Sequence, residues 1–277
     1  MDEKSGLIVL GTALGSAKLV EKLLGPTAGY IGGGIKNWTE NRVNNISRIL
    51  KSATDRLGAR LDEPGRVPPR VLKEILDDGS FCDDELTAEY FGGVLASSRS
   101  SVPRDDRGLT FLGVVSNLSA YQVRSHYVFY TLFKKHYNGD RFKTVYPSGN
   151  GPYHKIYIPY GVYAAAMDLQ EGENVEEVAA HSLFGLDRHR LIFEFAYGPV
   201  EEEILGWYRE QYPDLDAPKD GIIVGLSPFG AELFSWVHGR SDFQSVNDFS
   251  DPGVTYEAPA GITVPEGSLK LPANYLL

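Results

Sequence analysis

The sequence predicts a mainly α-helical chain with a smaller α+β part, and three observations carry that reading. Apolar residues recur at helical spacing through most of residues 3–138. From residue 141 the texture becomes aromatic and β-branched and is broken by Pro and Gly, as in "RFKTVYPSGNGPYHKIYIPY". Two helical stretches then precede two strand-like ones, the order of a winged-helix unit. Four regions are expected: a glycine-rich helical hairpin over 1–62, a helical domain over 63–140, a winged-helix-like domain over 141–250 with an acidic insert near 198–220, and an extended tail over 251–277.

In the hairpin, Leu7, Leu10 and Leu14 lie on one helical face, and "GP" at 25–26 stops that helix. A second helix starts near Thr27, a suitable N-cap, and runs to about residue 60. Trp38, Val43, Ile46, Leu50 and Leu57 form its apolar stripe. "LDEPGRVPP" at 61–69 is a break. Helices are expected at 69–78, 83–98, 105–117 and 119–138, the third opened by acids and the fourth capped by Ser119. Asp83, Asp84 and Glu85 favour a helix N-terminus rather than a divalent cation, which needs several oxygens at loop spacing.

Beyond the strands near 141–160, "GVYAAAMDL" reads as a helix and "NVEEVAAHSLFGLDRHRLI" as another, capped by Asn174. "RLIFEFAY" and "DGIIVGLS" read as strands, with the helical piece "VEEEILGWYREQY" in the acidic insert between them. "PFGAELFSWVHG" closes the region as a helix with Pro at its first turn. The tail holds four prolines and little periodicity.

"GPTAGYIGGGIKNW", residues 25–38, carries five glycines where helix is expected, although each costs a helix roughly 1 kcal/mol against alanine. Gly25, Gly29 and Gly33 recur every fourth residue, as do Gly11 and Gly15, which makes faces that another backbone can approach closely. With Trp38 they are the candidate membrane or partner contacts, membrane contact running through 6–35; a close-packed soluble hairpin explains the same spacing. The uncharged runs 5–17 and 23–35 hold 13 residues each, short of the roughly 20 that span a bilayer. "MDEK" is the wrong flank for a secretory signal, so the expected location is cytoplasmic, with membrane association on activation.

The net charge of −10 is uneven: 9 Lys and Arg face 7 Asp and Glu over 1–64, against 18 and 30 beyond. A basic front on an acidic body suits a membrane surface or an acidic partner. One cysteine, Cys82, excludes an internal disulfide and a multi-cysteine metal site. His181 and His189 are eight apart on one expected helix, too far along it for one zinc. No P-loop, dinucleotide fingerprint or nucleophile elbow is present, so the expectation is no enzyme, no catalytic residue, no metal, no cofactor and no small-molecule substrate. The alternative is a winged-helix regulator that binds DNA through Arg188, His189 and Arg190. Residues 171–220, with 13 acids against 4 bases, count against nucleic acid and leave a protein partner or self-association.

Several stretches together resemble one family. They are "GTALGSAKLVEKLLGPTAGYIGGGI", "RVPPRVLKEILDDGSFCDDELTAEYFGGVLASS", "FLGVVSNLSAYQVRSHYVFYTLF", and "LFGLDRHRLI" with "LSPFGAELFSWV". The chain is similar across about 6–240 to the bacterial abortive-infection alpha (Abi-alpha) family. That resemblance implies a role in antiphage defence by abortive infection and brings no catalytic residues with it. The acidic insert and the proline-bearing tail stand outside the pattern.

Overall fold

A computed structural model of the chain describes residues 17–25, 40–102, 104–139, 154–241, 249, 251–257, 262–272 and 275. It is mainly helical with one small antiparallel sheet, as expected. Two compact units divide it: residues 1–117 with 235–242, and residues 118–234 with 243–277. The division therefore does not coincide with the expected boundaries at 62 and 140. The described parts of the expected hairpin and the helices up to 117 share one unit, and the last expected helix of the helical domain belongs with the sheet.

In the first unit, α1 (Ala17–Leu24) buries Val20, Leu23 and Leu24. Gly25 ends it at φ +59°, and a Cβ there would lie 3.0 Å from the Gly65 carbonyl oxygen. Gly25 is thus a helix stop in the left-handed region, not a member of a helical face with Gly29 and Gly33. Those two, with Gly11, Gly15 and Trp38, lie outside the described residues. α2 (Glu40–Leu57) buries Ile46, Ile49, Leu50, Ala53 and Leu57 along one stripe. α3 (Pro69–Asp77) starts on a proline, whose missing N–H costs nothing at that position. α4 (Glu85–Ser97) is capped by Asp84, which accepts from the Thr87 amide at 2.7 Å. α5 (Gly108–Val115) buries Phe111, Leu112 and Val115.

Among the described residues, α4 brings other backbones close through two adjacent glycines. A Cβ on Gly92 would meet Ser52 of α2 at 2.5 Å, and one on Gly93 would lie 1.8 Å from the Val237 carbonyl oxygen. Neighbouring glycines thus let one helix take another backbone on each of two sides. Arg56 of α2 pairs with Glu89 of α4 at 2.5 Å, and Ser52 donates to the same carboxylate. The Trp236 ring lies 4.6 Å from that of Phe111, tilted by 32°, and its carbonyl accepts from Ser97.

The second unit begins with α6 (Ala120–His136), closed at its start by a Ser119–Gln122 capping box. β1 (Lys155–Pro159) and α7 (Tyr160–Met167) follow, then α8 (Val175–Arg188), whose cap Asn174 accepts from the amides of Glu176 and Glu177. β2 (Ile192–Pro199), α9 (Glu202–Gln211), β3 (Asp220–Leu226), α10 (Pro228–Val237) and β4 (Leu269–Lys270) complete the described elements. α10 is shared by the division, since Ser235–Asp242 counts with the first unit. The sheet runs β2-β3-β1-β4, every pair antiparallel. Helix, strand, two helices and two strands, with the last strand paired between the other two, is winged-helix order, and α9 occupies the wing.

Register sorts the side chains. Phe195 and Tyr197 stand beside Val224 and Ile222 on one face, while Ala196 stands beside Ile223 and Tyr157 on the other. That second face is covered by Ile204 and Tyr208 of α9 together with Leu269, Leu271 and Tyr275. The tail, expected as an extended arm, docks on its own chain: β4 pairs with β1, and the Leu271 amide donates to the Lys155 carbonyl. His136 is fixed against it, with Nε2 2.7 Å from the Ser268 hydroxyl. Burial, reinforced by Lys135 and Lys270 and opposed by Glu266, lowers this imidazole from 6.5 to about 4.

Two measurements check these packing claims. Gly93→Ala should lower stability by about 3 kcal/mol through overpacking, while Gly113→Ala, in an open helix interior, should raise it by about 0.5–1 kcal/mol; chemical denaturation reads both. Because the folded pKa of His136 is depressed, the unfolded chain binds the proton first, so its contribution is intact above pH 6.5 and is lost between 6.5 and about 4. The denaturation midpoint of wild type should therefore fall more steeply than that of His136→Gln over that window, and the two should run parallel above it.

Candidate functional site: an aromatic face on the second unit

The surface of α8 follows from its periodicity. Val178, Ala179, Ser182, Leu183 and Leu186 are buried, which leaves Glu177, His181, Phe184 and Arg188 as the outward stripe. Phe184 is 58% exposed, unusual for so large an apolar side chain. It stands edge-on to two rings of β2, Phe195 at 5.2 Å and Tyr197 at 6.4 Å. Tyr197 is itself partly exposed, as is Phe193 two residues before Phe195. Helix and wing strand therefore share one exposed aromatic face.

An ion pair between a buried lysine and a half-buried glutamate supports the strand that carries it. The Lys155 ammonium on β1, 2% exposed, meets the Glu194 carboxylate at 2.7 Å and donates to the Tyr275 carbonyl. Gly225 lies opposite Lys155 on the strand between, and a Cβ there would come 3.2 Å from the Glu194 amide nitrogen. A lysine this buried is stable only when paired, so Glu194 is held inward and its neighbours on β2 turn the other way.

Arg188, His189 and Arg190 form the end of α8. Arg190 sits at φ +56° as the left-handed residue of a Schellman stop: its amide donates to Asp187 and that of Leu191 to Leu186, the two leucines being buried together. Arg188 and Arg190 are exposed. The first turn of α8 bears Glu176 and Glu177, both exposed, and these acids disfavour phosphate where a recognition helix would approach a duplex.

The same unit also holds a serine–histidine pair. Ser119 Oγ lies 2.8 Å from His181 Nε2, the spacing of a nucleophile and its base. Gln122 Nε2 also approaches that nitrogen, at 3.2 Å, and Ser119 serves as the α6 cap. Among the described residues no carboxylate orients the other ring nitrogen, which a triad requires. The pair ties α8 to the first turn of α6. In the first unit, burial raises the Cys82 thiol to about 11, which removes it as a nucleophile at neutral pH. Asp84 caps α4, and no group of three potential metal ligands occurs among the described residues. None of the described helices is long and apolar enough to cross a membrane.

Of the residues singled out from sequence, Arg188, His189 and Arg190 stand together at the helix stop, and Gly25 stands alone at another. Phe184, Phe195 and Tyr197 were missed. Their signal was present: Phe184 falls outside the apolar stripe of its helix, and "FEFAY" repeats an aromatic at every second position. Comparisons with protein-family models, curated proteins and solved structures returned no match.

Proposed function

We propose that this chain is a non-enzymatic antiphage protein of the abortive-infection type, and that its second unit binds a protein partner through Phe184, Phe195 and Tyr197. The observation that carries the binding reading is the exposed aromatic face itself, at the place where a DNA-reading winged helix would present Lys and Arg. Exposed aromatics grouped on rigid elements are anchors for a protein interface. The defence role is supported by the sequence likeness to the Abi-alpha family. The glycine-rich front end, with Gly11, Gly15, Gly29, Gly33 and Trp38, carries the effect to a membrane or to a second protein once a partner is engaged. The resting location is the cytoplasm.

Phage challenge tests both halves. Bacteria expressing wild type should survive at low multiplicity of infection and collapse at high multiplicity. A folded Phe184→Ser/Tyr197→Ser double variant, expressed to the same level, should lose protection at low multiplicity. Undiminished protection by the double variant would remove the aromatic face from the function. Loss of protection in Arg188→Glu/Arg190→Glu, with retention of wild type by duplex DNA at low salt, would move the function to nucleic acid.

A further inference from the structure

We infer that the outer edge of β2 is a docking strand for a basic, extended polypeptide segment, which pairs with the backbone at Phe195–Gly198 and places a Lys or Arg side chain against Glu201. The inference rests on the protein-binding reading above and names the kind of segment bound. Three features meet there.

The first is an edge. β2 ends the sheet order, so one side of its backbone meets no strand among the described residues. Edge strands are usually blunted by bulges, prolines or inward-pointing charges. β2 carries all three at its ends: an irregularity between Ile192 and Phe195, Glu194 turned in to Lys155, and Pro199. Phe195–Gly198 between them pairs in unbroken register with Val224–Gly221 and bears no charge.

The second is a cavity of about 320 Å³ beside that run, reached by Phe195 to Glu201 and floored by Tyr157, Ile204 and Tyr275. Gly198 and Gly221 face each other across the strands, so no side chain closes it from that pair. Gly198 is held at φ +117°, and a Cβ on Gly221 would strike the Tyr157 ring at 2.5 Å, so both positions require glycine. Main-chain pairing along an edge gives affinity, and pockets beside it select alternate side chains.

The third is charge. Glu201, Glu202 and Glu203 open α9 at the end of this run and are exposed. The Tyr275 hydroxyl donates to Glu201 at 3.2 Å, which orients that carboxylate at the cavity wall. Among nearby bases, the exposed Lys219 stands opposite Val200 next to Asp220 and Arg209 lies 3.6 Å from Glu202, so the three glutamates with Asp220 still outnumber them, while Arg188 and Arg190 precede the start of β2. An acidic segment would be repelled at the Glu201 end, and a basic one drawn to it.

The full chain would be screened against an array of random eight-residue peptides, and the best binder titrated by calorimetry. Selected peptides should carry Lys or Arg at one fixed position with apolar residues at alternate sites. N-methylation of backbone amides of one parity should weaken binding at least about tenfold, and of the other parity hardly at all. Glu201→Gln/Glu203→Gln should weaken binding and flatten its salt dependence. No selected peptide, acidic selected peptides, or binding indifferent to N-methylation at either parity would overturn the inference. Peptide binding indifferent to N-methylation but lost in Phe184→Ser/Tyr197→Ser would overturn the edge alone and leave the aromatic-face reading standing. Peptide binding that obeys the edge pattern, with protection unchanged in that double variant, would do the reverse.

Discussion

The second unit depends on the register of β3. This strand is buried from Gly221 to Leu226 and pairs with β2 on one side and β1 on the other, so it sets which way both neighbours face. Side chains alternate along a strand, and a slip of one residue would exchange the two faces. Phe195 and Tyr197 would then turn into the α9 layer, and Ala196 would stand against Phe184. Two glycines in β3 help to hold the observed register. Gly221 leaves room for the Tyr157 ring, and Gly225 lets Glu194 lie beside it while pairing with Lys155 two strands away.

That register, with the helical insert in the wing, decides what the surface can do. In a plain winged helix the wing is a free hairpin. Here α9 leaves the wing and packs Ile204 and Tyr208 onto the sheet, joined by Leu269, Leu271 and Tyr275 of the tail. That face of the sheet is therefore covered. Among the described residues, what remains outward is the aromatic group on α8 and β2, the side of β2 that meets no strand, and the acids that open α9. Apolar anchors beside negative charge suit protein better than nucleic acid.

The parts legible in the sequence were those fixed by short-range chemistry. Ser119, Asn174 and Asp84 cap helices because a side-chain oxygen reaches an amide two or three residues on, a signal confined to a few positions. The helices at 69–77, 85–97 and 120–136, and the strands around 192–199 and 220–226, fall where periodicity placed them. Long-range pairing was not legible. β4 is two residues long and meets β1 more than 100 positions away, and nothing local in a proline-bearing tail marks it. The unit boundary at 117 was hidden because apolar helices lie on both sides of it. Glycine spacing misled in one respect: Gly25 recurs with Gly29 and Gly33 yet serves as a helix stop, while among the described residues Gly92 and Gly93, whose periodicity is unremarkable, make close approaches of their own. Phe184 lay in plain view, but it requires asking which large apolar residue sits off its helix's buried stripe.

The central claim is that Phe184 and Tyr197 touch a polypeptide in the infected cell. The most direct test places a photoreactive amino acid at 184, at 197 and, as a control, at the exposed Leu215, followed by irradiation during phage infection. The account predicts one and the same protein adduct from 184 and 197 and none from 215. Adducts to nucleic acid from 184 and 197, or an equal yield of the same protein at all three positions, would contradict it.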